Sequence, residues 1–234
     1  MSSLTGRVAL VTGGTGALGQ AVTLRLLAEG ATVGVPWVVE PEHETLLARL
    51  KPAERERLLT ARADVTDAQA LGGVVETLRS RHGRLDILIS LVGGFAPGGL
   101  LETDRATWDR MLQLNLTSAF TAVRAGAPHM VAAGHGRIVT VGSRAVVPPA
   151  GGFIAYTVAK AGVIALTQAL ALELKGSGVT ANCVLPSTMD TPANRAAMPD
   201  ADHRGWVPVE SVADAIAFLV RDEAAHITGA ALSI

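Results

Sequence analysis

The stretch "RVALVTGGTGALG", residues 7–19, constrains this chain more than any other. Residues 8–12 form a short, Val-rich apolar run bounded by glycine, the pattern of a buried strand. From Ala17 onward the apolar positions Leu18, Val22, Leu26 and Leu27 recur at helical spacing, and Gly30 closes the helix. Between strand and helix, "GTGALG" at 14–19 satisfies G-x-G-x-x-G. The string alone is a weak signal, but directly after a first strand and at the start of a helix it is a dinucleotide-binding pattern. Small residues let the backbone approach a pyrophosphate, and the helix start supplies free N–H groups and the positive end of its dipole. The competing reading is a tight turn that binds nothing.

The same alternation continues to the end of the chain. "ATVGV" (31–35) reads as a second strand, residues 40–50 and 67–82 as helices, and a third strand runs up to Asp64. "LDILISLVGG" (85–94) is a strand that stops at a glycine pair, and 105–133 is a long helix carrying Leu112, Leu116 and Val123 inward. "GRIVTVGS" (136–143) and "GVTANCVLP" (178–186) are further strands flanking a strongly apolar helix at 154–175. A helix at 209–220 and the strand "GAALSI" (229–234) close the chain. The strands are continuous apolar runs rather than alternating ones, which indicates a parallel sheet covered by helices on both faces. The expected architecture is α/β: a doubly wound parallel sheet of Rossmann type. With no linker-like stretch and no repeat, the 234 residues are expected to form a single domain, 1–234.

Composition narrows the function classes. A hydrophobic share of 49% and a charged share of 18% allow a sizeable core. The net charge of −1 offers no pull toward nucleic acid or acidic membranes, so neither is expected as a partner. The single cysteine, Cys183, excludes an intramolecular disulfide and suits a reducing cytoplasm. The longest uncharged runs, such as 87–101 and 145–159, are broken by Gly and Pro and fall short of the ~18 residues of a membrane span. "MSSLTGR" carries no apolar signal-peptide core, and a soluble cytoplasmic protein is expected.

"IAYTVAKAG" (154–162) holds the only tyrosine and one of three lysines. Tyr156 and Lys160 are i and i+4, so they share a helix face. With so few lysines, chance places one at i+4 only about 1% of the time. An ammonium beside a phenol is expected to favour the phenolate and lower the tyrosine pKa, making Tyr156 a general acid or base. Ser143, at the end of the strand "GRIVTVGS", lies where strand ends line a ligand crevice and can hydrogen-bond a carbonyl oxygen; its competing role is turn formation. Asn115 is a polar residue in an apolar helical stretch and needs partners, or serves only to kink the helix. Asp64 in "ADVTD" is within reach of an adenine ring, or contributes to capping, for which Thr66 or Asp67 is better placed.

Taken in order, "TGGTGALG", "ADVTD", Asn115, "GRIVTVGS", "YTVAK" and the closing "SVADAIAFLVRDEAAHITGAALSI" resemble the short-chain dehydrogenase/reductase family along essentially the whole chain. The resemblance implies an NAD(P)(H)-dependent oxidoreductase with a catalytic tetrad of Asn115, Ser143, Tyr156 and Lys160. Tyr156 would exchange a proton with the substrate oxygen and Ser143 would orient it. Lys160 would hold the nicotinamide ribose, and Asn115 would hold a water of a proton relay. Cofactor contacts would come from Gly13, Thr15, Gly16, Ala17, Leu18, Gly19, Trp37, Asp64, Val65, Ser90, Gly93, Tyr156, Lys160, Pro186, Met189 and Thr191. No metal is implied. Ala17 stands where the family's turn usually has its middle glycine, "SLVG" (90–93) replaces N-N-A-G, and Pro186-Ser187 replaces Pro-Gly.

Residues 185–208 also resemble the corresponding segment of dihydropteridine reductases, which generally lack the tetrad serine, so pteridine reduction is the alternative activity. A non-catalytic nucleotide-binding module is a second alternative, drawn from the altered "SLVG" and a neutral second-strand end. That end, Pro36-Trp37-Val38, is neither acidic nor basic, and Glu40 nearby also reads as the start of the next helix, so NAD and NADP are not distinguished. Residues 187–208 would cover a small-molecule substrate, with Phe95, Phe153 and Trp206 lending the pocket apolar character or merely anchoring loops. The helices at 105–133 and 154–175 would pack a homodimer or homotetramer.

Overall fold

The computed structural model describes residues 4–234. Strand β1 (Val8–Thr12), buried throughout, passes through the glycine-rich turn into α1 (Ala17–Ala28). Next come β2 (Thr32–Trp37), α2 (Glu40–Ala48), the one-turn α3 (Pro52–Arg55), β3 (Leu58–Arg62), α4 (Ala68–His82) and β4 (Ile87–Ser90). A continuous helical rod follows, made of α5 (Arg105–Met111), a π-helical stretch (Leu112–Thr117) and α6 (Ser118–Ala133). Then come β5 (Gly136–Val141), α7 (Ile154–Glu173) and β6 (Val179–Leu185). The short strands β7 (Met189–Asp190) and β8 (Val207–Pro208) bracket α8 (Pro192–Ala197), and α9 (Val209–Leu219) and β9 (Ala231–Ser233) complete the order.

Seven strands form one sheet in the order β3-β2-β1-β4-β5-β6-β9, every pairing parallel. The winding direction reverses between β1 and β4, which is where open α/β sheets open a ligand crevice at their carboxyl ends. Both sheet faces are covered. Val11, Ile87 and Ile89 point into one layer with Leu26, Leu27, Val212 and Ile216 of α1 and α9. Leu10 and Leu88, one residue out of step, point into the other with Leu71, Leu78, Val123 and Met130 of α4 and α6. This period-two division explains why the strands read as unbroken apolar runs.

Gly19 sets the distance between α1 and the turn before it. A Cβ there would fall 1.9 Å from the Gly13 carbonyl oxygen, so only glycine lets the helix pack this closely. Ala17 is exposed at the helix start, and its methyl is accommodated.

Several elements differ from the sequence expectation. The strand expected over 85–94 pairs only through Ser90, because after the Leu91 N–H bonds the Thr12 carbonyl at 3.0 Å the chain leaves the sheet. The helix over 105–133 is continuous but π-wound in the middle. The β7–β8 ladder, Met189 opposite Val207 and Asp190 opposite Pro208, clamps the base of the 189–208 excursion and was not visible in so short a pattern. Against the expectation that no segment is long and apolar enough to cross a membrane, α7 is so by length and composition. It nevertheless packs on β5 and β6 and carries the buried Lys160, the situation of a core helix.

At the amino ends of the strands, opposite the crevice, the buried Asp86 carboxylate gathers the chain. It accepts from the Val8 N–H at 2.9 Å, from Arg84 Nε at 2.8 Å and from Arg7 Nη1 at 3.3 Å. Arg7 also donates to Asp222, and the His135 ring sits 3.5 Å from both carboxylates.

Candidate active site

The glycine-rich turn supplies an anion site in the expected place. Gly16 is the N-cap of α1 and provides no side-chain cap, which leaves first-turn N–H groups of the helix available. Thr15 is buried, its carbonyl held by Gln20 Nε2 at 2.8 Å and its hydroxyl donating to Glu42 Oε2 at 3.1 Å. Leu18 is buried in the core beneath the turn. The carboxylate that reaches the turn is thus Glu42 of α2, not Glu40, a contact that spacing from the strand end could not disclose. Trp37, at the end of β2, stacks face to face on His43 at 4.2 Å with the Arg62 guanidinium 5.9 Å away.

Asp64 is exposed, and its Oδ1 accepts from both the Thr66 N–H and the Thr66 hydroxyl at 2.8 Å. Asp67 caps α4 by accepting from the N–H groups of Gln69 and Ala70, so Asp64 is not the cap. Val65 is buried behind it. Thr12 and Ser90 face each other in register at the carboxyl ends of β1 and β4, and the hydroxyl of each is buried without a hydrogen-bond partner. Orphaned hydroxyls at the switch point, an uncapped helix start and a close-packed glycine turn fit a bound dinucleotide.

The turn connects directly to the other half of the site. A Cβ on Gly13 would meet the Val92 backbone nitrogen at 2.8 Å, so residues 91–93 lie against the turn. A Cβ on the exposed Gly93 would stand 2.7 Å from Asn115 Oδ1 and 3.2 Å from Lys160 Nζ. Asn115 and Lys160 therefore reach the same point. Asn115, fully buried, accepts from the Gly94 N–H at 3.2 Å and donates to the Gly94 and Met111 carbonyls, each at 3.0 Å. In an α-helix the Met111 carbonyl would receive the residue-115 backbone N–H; here the side-chain amide takes it, in the middle of the π-helical stretch. Such π-turns often mark functional positions.

Tyr156 and Lys160 both meet the end of β5. Lys160 Nζ donates to the Val141 carbonyl at 2.8 Å, and Ser143, just beyond Val141, lies near enough to the Tyr156 phenol to favour its ionised form. Ser143 Oγ also accepts from the Ala145 N–H at 3.2 Å, so the serine both shapes its turn and faces the phenol. Burial lowers Lys160 from 10.5 to about 8, with Cys183 opposing weakly. Burial raises the Tyr156 pKa, and the neighbouring Ser143 hydroxyl pulls it partly back. This corrects the expectation of a lysine-lowered phenol: desolvation dominates because Tyr156 lies within an apolar corner with Ala96, Met111 and Ala155.

On the far side of the crevice Pro186 is buried and accepts from the Arg144 N–H at 3.1 Å. Met189 packs on the core, and its carbonyl holds Asn194. Thr191, also buried, caps α8 through Asn194 N–H. Phe95 and Phe153 lie against Tyr156, whereas Trp206 leans at a tilt against His203 in the 192–207 segment.

Residues 7–202 match the family model described as short chain dehydrogenase. The chain belongs to the short-chain dehydrogenase family. Members of this family are NAD(P)-dependent oxidoreductases, and this short-chain dehydrogenase is one. It is 37% identical over 240 residues to the cis-4-hydroxycyclohexanecarboxylate dehydrogenase of Sinomonas cyclohexanicum, spanning 97% of this chain and 94% of that enzyme. It is 33% identical over 237 residues to the 3-oxoacyl-[acyl-carrier-protein] reductase FabG of Escherichia coli K12, spanning 98% and 96%. Carveol dehydrogenase from Mycobacterium avium, solved in complex with NAD, superposes with a TM-score of 0.88 at 26% identity, covering 100% of this chain and 98% of that one. Use of NAD(H) or NADP(H) follows from these likenesses.

Proposed function

We propose that this single-domain dehydrogenase interconverts a secondary alcohol and a ketone on a small molecule, with Tyr156 as the proton-transferring residue. The observation that carries this reading is that Tyr156 and Lys160, one turn apart on α7, both engage the end of β5 beside Gly93. The nicotinamide, when bound, supplies or accepts the hydride. Tyr156 gives its phenolic proton to the carbonyl oxygen during reduction and takes the hydroxyl proton during oxidation. Burial keeps the phenol protonated until a partner draws the proton away. Ser143 donates to the same substrate oxygen, which favours a carbonyl/hydroxyl pair over a pterin.

Lys160 would hold the nicotinamide ribose hydroxyls, and its low pKa lets it exchange protons near neutrality. Asn115 orients a water between Lys160 and solvent at Gly93. Gly13, Thr15, Gly16, Ala17, Leu18 and Gly19 would hold the pyrophosphate, Asp64 and Val65 the adenine, Ser90 and Gly93 the ribose, and Pro186, Met189 and Thr191 the carboxamide. Glu42, held at Thr15, accepts a ribose 2′-hydroxyl and repels a 2′-phosphate, so NAD(H) is the preferred form. Phe120, Val131, Val158 and Leu172, exposed on the rod and α7, support assembly into a homodimer or homotetramer, in the cytoplasm.

Replacing Tyr156 with Phe is expected to cut turnover about 10²–10⁴-fold while nicotinamide fluorescence still reports NADH binding. A near-normal rate would overturn the assignment.

A further inference from the structure

Aromatic residues are scarce here and are not scattered. Of four phenylalanines and one tyrosine, three meet at the reactive phenol. The Phe95 ring lies 5.1 Å from the Tyr156 ring at 72°, the Phe153 ring 6.0 Å from it at 73°, and the two phenylalanines are 5.7 Å apart at 57°. Each contact has the edge-to-face or tilted form that aromatic quadrupoles favour. The corner is built by the backbone. The Gly98 N–H donates to the Gly152 carbonyl at 2.8 Å and the Ile154 N–H to the Gly98 carbonyl at 3.0 Å, pinning the loop after β4 to the segment entering α7. Ala96, Met111 and Ala155, with Trp108 and Leu114, support it from below.

Phe95 is nevertheless 60% exposed. A large apolar ring held in water beside the phenol loses hydrophobic free energy until something covers it. It is held there by tertiary pairing rather than left on a loose loop.

We propose that Phe95 and Phe153 form an apolar wall that seats a ring, so that the substrate is a small alicyclic or aromatic compound presenting a secondary hydroxyl or carbonyl to Tyr156. This rests on Tyr156 being the proton-transferring residue. A rigid ring covers the wall without freezing rotors of its own, whereas an open chain of equal carbon count gives up rotational freedom to cover the same area. The wall therefore discriminates by shape more than by total apolar content.

The test compares cyclohexanol with 2-hexanol, six carbons each, as substrates oxidised with NAD⁺. The expected result is a kcat/KM at least about tenfold higher for the ring, with Phe95→Ala and Phe153→Ala each lowering that ratio about tenfold through KM. NADH affinity should be unchanged, and Phe95→Tyr should preserve the ratio. Calorimetry of cyclohexanone and 2-hexanone with the Tyr156→Phe protein and NADH reads the same preference without turnover. Turnover without ring preference, or a ratio untouched by both alanine variants, would overturn the wall and leave Tyr156 standing. Preferential binding of the ring ketone without turnover of either alcohol by the unaltered enzyme would support the wall and remove the assignment of Tyr156. Absence of ring preference in both binding and turnover overturns the wall.

Discussion

Asn115 Oδ1 and Lys160 Nζ converge on one point, 2.7 and 3.2 Å from where a Cβ on Gly93 would lie. Only a glycine leaves room for both groups and for a water or ribose hydroxyl between them. Gly93→Ala is expected to displace one or both side chains and lower kcat/KM by about 10²-fold. The melting temperature should change little, since Gly93 faces open space otherwise. Gly73→Ala, on α4 away from the site, is the matched control: nothing lies within 4 Å of its added Cβ, and activity should persist. Parallel steady-state kinetics and thermal melts check both.

Burying Lys160 has a thermodynamic consequence. Its pKa falls from 10.5 to about 8 on folding, chiefly through burial. The unfolded chain therefore retains a proton that the folded chain releases in that window. Stability contributed by this group rises as pH climbs from about 8 to 10.5, and at pH 7 the buried charge costs about 3 kcal/mol. Lys160→Met should abolish turnover yet raise the urea midpoint at pH 7. The advantage of the variant should shrink between pH 8 and 10.5, which paired denaturation curves would show.

The Thr15–Glu42 hydrogen bond predicts cofactor choice. Separate fluorescence titrations should show NADH binding more tightly than NADPH. Glu42→Lys should move the ratio at least about tenfold toward NADPH by exchanging repulsion for attraction. Tighter binding of NADPH by the unaltered protein would refute Glu42 as the discriminator.

His135 predicts an acid-side loss of stability. Burial, then Arg7 and Arg137, push its pKa below 6.5. The unfolded chain takes up the proton first, so the stabilisation is present above about pH 6.5 and is lost as pH falls through the folded-state value. Urea midpoints should decline from pH 7 to pH 5, and His135→Gln should flatten that decline.

Much of the fold was legible because its causes are local. Short runs dominated by Val, Ile, Leu and Ala in β1, β5 and β6 announce strands buried on both faces, and the helices between them carry 3.6-residue periodicity. The candidate site was legible wherever a residue type and a short spacing suffice, as for the glycine turn and the Tyr156–Lys160 pair. The π-helical stretch was not, since its buried Asn115 bonds across to Gly94, a residue 21 positions away that spacing cannot pair with it. Phe95 and Phe153 could be named as scarce aromatics but not joined, since a loop pairing through Gly98 brings them together.

By itself, then, the sequence determined the order of strands and helices, the phosphate turn and the shared helix face of Tyr156 and Lys160, all set by neighbours along the chain. Only the tertiary structure decided that Asn115 and Lys160 meet at Gly93, that Glu42 rather than Glu40 reaches the turn, and that the Tyr156 phenol holds its proton more tightly. Those outcomes depend on desolvation and on contacts between residues distant in the chain, which periodicity and spacing do not encode.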